Sequence, residues 1–139
     1  MLNVIGIDIG SVALSLAVVN AGGAVVHSSY KFHRGAIAET LREMLDEVDI
    51  KTTGGIAMTA SGPDILQDVY RCDAQIAMIA AVKKYHEQAG SILFVGGENF
   101  GLITFNEKGE YERFRSNTSC AAGTGSFLDQ QARRLNLKS

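Results

Sequence analysis

Apolar and polar positions alternate at the start of the chain. Val4-Ile5-Gly6-Ile7-Asp8-Ile9 is a β-rich run that ends at Gly10-Ser11, and residues 12–19 carry Leu14, Leu16 and Val18 on one face. That period of two is what a half-buried strand requires. Asn20-Ala21-Gly22-Gly23 is turn chemistry, and Ala24 to Tyr30 reads as a third strand. Three successive strands with short loops predict antiparallel pairing. The period then changes: Ile37, Leu41, Met44, Leu45 and Val48 form one stripe of a helix. Gly54 to Thr59 reads as a buried strand, and Ser61-Gly62-Pro63 breaks it, with the proline placed to open a short helix. Residues 73–89 predict a second long helix, with Asp73 as N-cap, Gly90 past its end, and Ile76, Ile79, Ala80 and Val82 as its apolar side. Ser91 to Val95 is again β-type and closes at Gly96-Gly97. Phe100 to Phe105 and Tyr111 to Phe114 flank the hairpin signal Asn106-Glu107-Lys108-Gly109, and Ser126 to Leu137 reads as a last helix.

This order predicts an α/β protein: a mixed sheet of three antiparallel strands followed by βαβα, then the start of a second, similar lobe. A weak internal repeat supports the division. Gly6-Ile7-Asp8-Ile9-Gly10-Ser11 and Phe94-Val95-Gly96-Gly97-Glu98-Asn99 are both strand ends that run into a glycine turn and a further strand. The expected boundaries are residues 1–90 for the first lobe and 91–139 for the opening of the second.

Composition narrows the field. The 139 residues are 46% hydrophobic and 20% charged, with 15 glycines and one proline, so the chain can build a core. A net charge of −2 without a lysine/arginine block argues against a nucleic-acid footprint. Arg113, Arg115, Arg133 and Arg134 read as a solvated face. No apolar stretch approaches the ~20 residues of a membrane span. The N-terminus lacks the basic flank and cleavage site of a secretory signal. Cys72 and Cys120 do not make a disulfide framework. The expectation is a soluble, cytoplasmic protein.

Two features carry candidate chemistry. The first is the pair of glycine turns. A tight tip such as Asp8-Ile9-Gly10-Ser11 can present backbone N–H groups to an anion, a serine hydroxyl can add a donor, and a nearby carboxylate can hold Mg²⁺ through water. Gly96-Gly97 would grip phosphates from an equivalent tip. Either turn alone reads as an ordinary β-turn; their repetition after buried strands turns the reading toward phosphate. There is no Gly-Lys-Ser/Thr loop and no Gly-x-Gly-x-x-Gly opening a helix. The second feature is Cys120, which precedes Gly123-Thr124-Gly125 and a helix. A helix N-terminus stabilises a thiolate, which suits a nucleophile or an iron–sulfur ligand, while a small buried hydrophobe is the plain alternative. A four-iron cluster needs more thiolates than one chain offers here, so it would require a partner chain. Cys72 reads as a core or helix-start residue. His27, His33 and His86 are scattered without zinc-ligand spacing, and Ser61-Gly62 lacks the context of a nucleophile elbow.

Together Gly6-Ile7-Asp8-Ile9-Gly10-Ser11, Gly96-Gly97 and, most specifically, Cys120-Ala121-Ala122-Gly123-Thr124-Gly125-Ser126-Phe127-Leu128 resemble the activator ATPases of 2-hydroxyacyl-CoA dehydratases and the ATP-binding subunits of benzoyl-CoA reductases. The likeness runs along essentially the whole chain. It implies an actin-like ATPase (ribonuclease H-like) lobe, as in sugar kinases and heat-shock ATPases, with ATP and Mg²⁺ as ligands. It further implies a homodimer with a [4Fe–4S] cluster held by two cysteines from each chain. ATP hydrolysis would then drive a low-potential electron into an acyl-CoA dehydratase or reductase component. On this resemblance Asp8, Gly10 and Ser11 match the first phosphate motif, Gly96 and Gly97 the second, and Cys120 the first cluster ligand.

Three departures qualify the match. The family's second glycine motif usually reads Asp-Ile-Gly-Gly-Gln-Asp; here Phe94 and Asn99 replace its acids, leaving Glu98 as the candidate catalytic carboxylate. The later cysteine and the adenosine-binding part of the second lobe are absent before Ser139. The chain therefore reads as the first segment of a longer activase-like protein, inactive by itself. The alternatives are a sugar or acetate kinase-like phosphotransferase lobe, which has no need of Cys120, and a degenerate, non-catalytic lobe.

Overall fold

The computed structural model describes residues 2–137. The first compact unit ends at Ala77 and the second begins at Met78. In the first, β1 (Asn3–Ile9), β2 (Ala13–Val19) and β3 (Val25–Phe32) form an antiparallel meander, and β4 (Thr53–Thr59) and β5 (Tyr70–Cys72) add parallel strands on the β1 side. The sheet order is β3-β2-β1-β4-β5. The period of two is visible in the packing: Ile5, Ile7 and Ile9 of β1 and Leu14, Leu16 and Val18 of β2 point into one core. Helix α1 (Ile37–Asp46) covers it with Leu41 and Met44, and Ile37, Leu45 and Val48 pack alongside. Met44 and Met58 are fully buried, and each such side chain stabilises the fold by about 1.5–3 kcal/mol. Parallel β1 and β4 end at the same edge, and this edge carries the candidate site.

One expectation is corrected here. No helix opens at Pro63; residues 60–69 are loop, braced where the Arg71 guanidinium donates to Gly62 O (3.0 Å) and to Asp64 (2.8 Å). The loop instead delivers the short strand β5, which is too short to show a pattern.

In the second unit, β6 (Ser91–Val95), β7 (Phe100–Phe105) and β8 (Tyr111–Ser116) form an antiparallel meander. Ile92, Ile103 and Phe105 are its buried core. Helix α2 (Ala74–Tyr85) begins under a genuine cap, the Asp73 carboxylate accepting from the N–H groups of Gln75 and Ile76. Its Met78, Ile79 and Val82 pack against this core, which is why the compact units divide within α2 while the periodicity puts a boundary at residue 90. The helix stops at Tyr85, before the polar His86-Glu87-Gln88. Helix α3 (Thr124–Arg134) closes the described part of the chain.

Candidate functional site

The β1–β2 tip is a four-residue turn in which Gly10 N–H donates to Ala13 O (2.9 Å). A Cβ on Gly10 would stand 3.2 Å from that same carbonyl, so the tight closure favours glycine. The β6–β7 tip repeats the geometry: Gly96 N–H donates to Asn99 O (2.7 Å), and a Cβ there would stand 3.3 Å from it. The closing N–H of each turn is therefore used internally. The donors left for an anion are the amides between, those of Ser11 and Val12 at the first tip and of Gly97 and Glu98 at the second.

At the first tip, Asp8 is exposed at the carboxyl end of β1. Its carboxylate accepts from the hydroxyl of Thr59, at the end of parallel β4 (2.8 Å). Thr59 is buried, so it fixes one carboxylate oxygen of the exposed Asp8. A ligand site at the carboxyl ends of parallel strands is the general expectation for such sheets. The arrangement brings Asp8, Gly10 and Ser11 to one edge. Thr59 was not legible as a partner, because 51 residues separate it from Asp8.

At the second tip the structure brings Gly96, Gly97 and Glu98 against the segment that carries Cys120. Ala121 N–H donates to Glu98 O and Gly123 N–H to Gly97 O, both at 3.2 Å. Gly125 packs so closely that a Cβ would stand 3.2 Å from Gly96 O. Gly123, with φ +89°, lies in the left-handed region that favours glycine and turns the chain into α3. Asn117 joins the pieces: its Oδ1 accepts from Phe100 N–H (3.0 Å) and its Nδ2 donates to Ser119 O (2.6 Å). The Glu98 side chain is exposed.

Cys120 is exposed in this chain. Cys72 is half-buried, its thiol directed at Met58 O (3.7 Å). Among the described residues no group of three or more His, Cys, Asp or Glu side chains gathers around a point that suits a metal. This chain's own residues therefore fit a cluster as donors of a single thiolate, Cys120. They fit Mg²⁺ as a single oriented carboxylate, Asp8, and hard-cation chemistry allows water to complete such a shell.

Phe94, which stands in place of the leading acid that the resemblance implies, is a sheet residue. It lies opposite Gly101 in the β6–β7 register and stacks on Phe114 with ring centroids 6.0 Å apart. Its ring occupies the space over Gly101, whose Cβ would stand 2.5 Å from Phe94 Cε1.

Comparison with known proteins bears on this arrangement. The curated activator of lactoyl-CoA dehydratase from Anaerotignum propionicum is 30% identical over 138 residues, covering 94% of this chain and 53% of that protein. The (R)-2-hydroxyglutaryl-CoA dehydratase activating ATPase of Acidaminococcus fermentans is 26% identical over 147 residues, 96% of this chain and 54% of that protein. The chain thus spans about half the length of the curated relatives it matches. Among solved structures, the Clostridium difficile activator of 2-hydroxyisocaproyl-CoA dehydratase with bound ADPNP aligns with a TM-score of 0.74 at 20% identity, over 99% of this chain and 53% of that one. Component A of the Acidaminococcus fermentans (R)-2-hydroxyglutaryl-CoA dehydratase gives 0.75 at 23%, over 99% and 56%. The α/β fold is accordingly that of the actin-like ATPase activators. The sequence pattern of one family accounts for residues 5–139, and the chain belongs to it: the BadF/BadG/BcrA/BcrD ATPase family.

Proposed function

We propose that this chain is the N-terminal part of an ATP-dependent activator that passes a low-potential electron through a [4Fe–4S] cluster to a 2-hydroxyacyl-CoA dehydratase or a benzoyl-CoA reductase-type enzyme. One observation carries the reading: Gly97 O and Glu98 O of the second tip accept hydrogen bonds from Gly123 and Ala121, which follow the exposed Cys120 in its loop. A glycine turn that gains or loses a phosphate contact is thereby tied to the thiol. Loss of a γ-phosphate is the kind of local charge change that biases such a two-state element.

In this reading the roles divide simply. The amides of Ser11 and Val12 and of Gly97 and Glu98 donate to phosphate oxygens. The Asp8 carboxylate, held by Thr59, takes Mg²⁺ through water. Glu98 is the candidate carboxylate for orienting an attacking water. Cys120 is this chain's thiolate, and a twin copy in a homodimer supplies others. The bound cluster contributes one-electron, low-potential chemistry. The compact units are the first nucleotide-binding lobe and the opening of its relative.

A second reading, a non-catalytic lobe of a longer activase-like protein, is favoured by Phe94, whose packing on Gly101 and Phe114 leaves no acid at that point. One experiment separates the readings: anaerobic iron and sulfide analysis with nucleotide titration, on the product of the complete gene, wild type against Cys120→Ala. A brown dimer that bleaches in air, and that loses its iron on substitution, is expected. A colourless ATP-binding protein that phosphorylates a small hydroxyl or carboxylate compound points to a kinase-like lobe. A colourless protein that binds no nucleotide points to the non-catalytic one.

A further inference from the structure

The β3–α1 corner contains a histidine for which the site described so far has no use. His33 is 7% exposed and both ring nitrogens are engaged. Nδ1 lies 3.1 Å from Gly35 N–H, which can only donate. Nδ1 is therefore the unprotonated acceptor, the ring proton sits on Nε2, and Nε2–H donates to Gly10 O at 3.2 Å. The His33 backbone N–H donates to Val12 O (3.2 Å), and His33 O accepts from Ala36 N–H (2.7 Å). Two of the carbonyls of the β1–β2 tip are thus pinned by one residue, from an element 23 positions away. The corner is wound to make this fit: Arg34 (φ +46°) and Gly35 (φ +89°) are both left-handed, an uncommon state for arginine that folds Gly35 N–H back onto Nδ1.

The consequence follows from peptide geometry. No peptide in the described chain is cis, and in a trans peptide the C=O and the next N–H point in opposite directions. With Gly10 C=O drawn to the imidazole, Ser11 N–H must leave from the opposite side. Gly10 N–H is already consumed by Ala13 O, so Ser11 N–H is the first amide of the tip offered outward.

We propose that His33 is a positioning residue for nucleotide binding, its Nε2–H orienting the Gly10–Ser11 peptide so that Ser11 N–H faces a phosphate oxygen. The inference rests on reading the β1–β2 tip as a phosphate grip. A histidine that merely filled the corner would be replaceable by any ring of its size, whereas a positioning histidine needs its donor at Nε2.

Three variants separate these. His33→Gln keeps a donor near the Nε2 position, His33→Asn keeps only an acceptor near Nδ1, and His33→Phe keeps the ring and neither bond. On the product of the complete gene, with Mg²⁺, calorimetric titration with ATP should show His33→Asn and His33→Phe weakened by about three- to tenfold, the worth of one hydrogen bond. His33→Gln should recover most of that loss. Nitrogen-15 spectra should place the wild-type ring proton on Nε2, and the Ser11 amide resonance should move in His33→Asn and return toward wild type in His33→Gln. Equal ATP affinity in all four proteins, or a proton on Nδ1, overturns the proposal. If wild type binds no ATP, the phosphate reading has failed; the Ser11 amide then still decides orientation, and an unmoved resonance in His33→Asn refutes it. Should His33→Phe not fold, the Gln and Asn pair carries the test.

Discussion

Replacing Asn117 with alanine should loosen the Cys120 loop without unfolding the protein. The side chain makes two good hydrogen bonds, Phe100 N–H to Oδ1 at 3.0 Å and Nδ2–H to Ser119 O at 2.6 Å. A third, to Glu98 O at 3.5 Å, adds little at that length. Two bonds at about 0.5–1.5 kcal/mol each give about 1–3 kcal/mol. The loss falls on a local opening, because the tip and loop they join sit outside the Ile92, Ile103 and Phe105 core. Converted at about 1.4 kcal/mol per tenfold, hydrogen exchange at the amides of Ala121 and Gly123 should accelerate by about five- to hundredfold. Those two amides are the reporters because they donate to Glu98 O and Gly97 O. Amides of β1 and β2 should not change, and the exposed Cys120 should react faster with a disulfide reagent. Asn117→Asp tests the chemistry: it keeps the acceptor for Phe100 N–H but sets an oxygen against Ser119 O, so its effect should be at least as large. If Ala121 and Gly123 exchange at wild-type rates in Asn117→Ala, the asparagine does not brace the loop, and the tip and the Cys120 segment are joined only by the backbone bonds from Ala121 and Gly123.

Gly101→Ala should destabilise the second unit by about 1–3 kcal/mol, because the new Cβ would meet Phe94 Cε1 at 2.5 Å and the Arg115 carbonyl at 2.9 Å. Denaturant melts should give a smaller penalty in a Phe94→Leu background; an equal penalty would mean that the ring is not what glycine accommodates. Glu47 gives a pH test. The hydrogen bond from Lys31 (2.7 Å) holds its carboxyl below the ordinary value, and the same bond holds the Lys31 ammonium above its own. The carboxylate's contribution is present above the usual glutamate range and lost as pH falls through the lowered value. The lysine's is present below the usual lysine range and lost as pH rises through the raised one. Glu47→Gln should therefore lower the melting temperature slightly at neutral pH and low salt, and converge with wild type in acid or at high salt. Equal melting temperatures at neutral pH and low salt would show the pair to be inert.

Periodicity revealed the elements whose burial obeys it. Ile5, Ile7 and Ile9, Leu14, Leu16 and Val18, and Leu41 and Met44 are core residues at the spacings the pattern requires. It failed where no period could form. Strand β5 is only Tyr70-Arg71-Cys72, and it follows a loop whose proline suggested a helix. Helix α2 ends at Tyr85, several residues before the Gly90 that looked like its stop. The candidate site divides along the same line. A glycine turn is a local event, so both tips could be read from neighbouring residues, and their common closing bond, Gly10 to Ala13 and Gly96 to Asn99, gives the weak repeat a physical meaning. What orients each tip is not local. The first is held by His33 and by the Thr59–Asp8 bond, the second by Asn117 and the Cys120 loop, across separations of 17 to 51 residues. These are single polar side chains whose partners are backbone carbonyls, amides or one carboxylate, and nothing in the primary pattern distinguishes them from ordinary surface residues. The duplication is therefore one of turns and not of their supports. A difference in support is what lets two alike turns do different work, one braced from a corner of its own sheet, the other tied to a loop that presents a thiol to solvent.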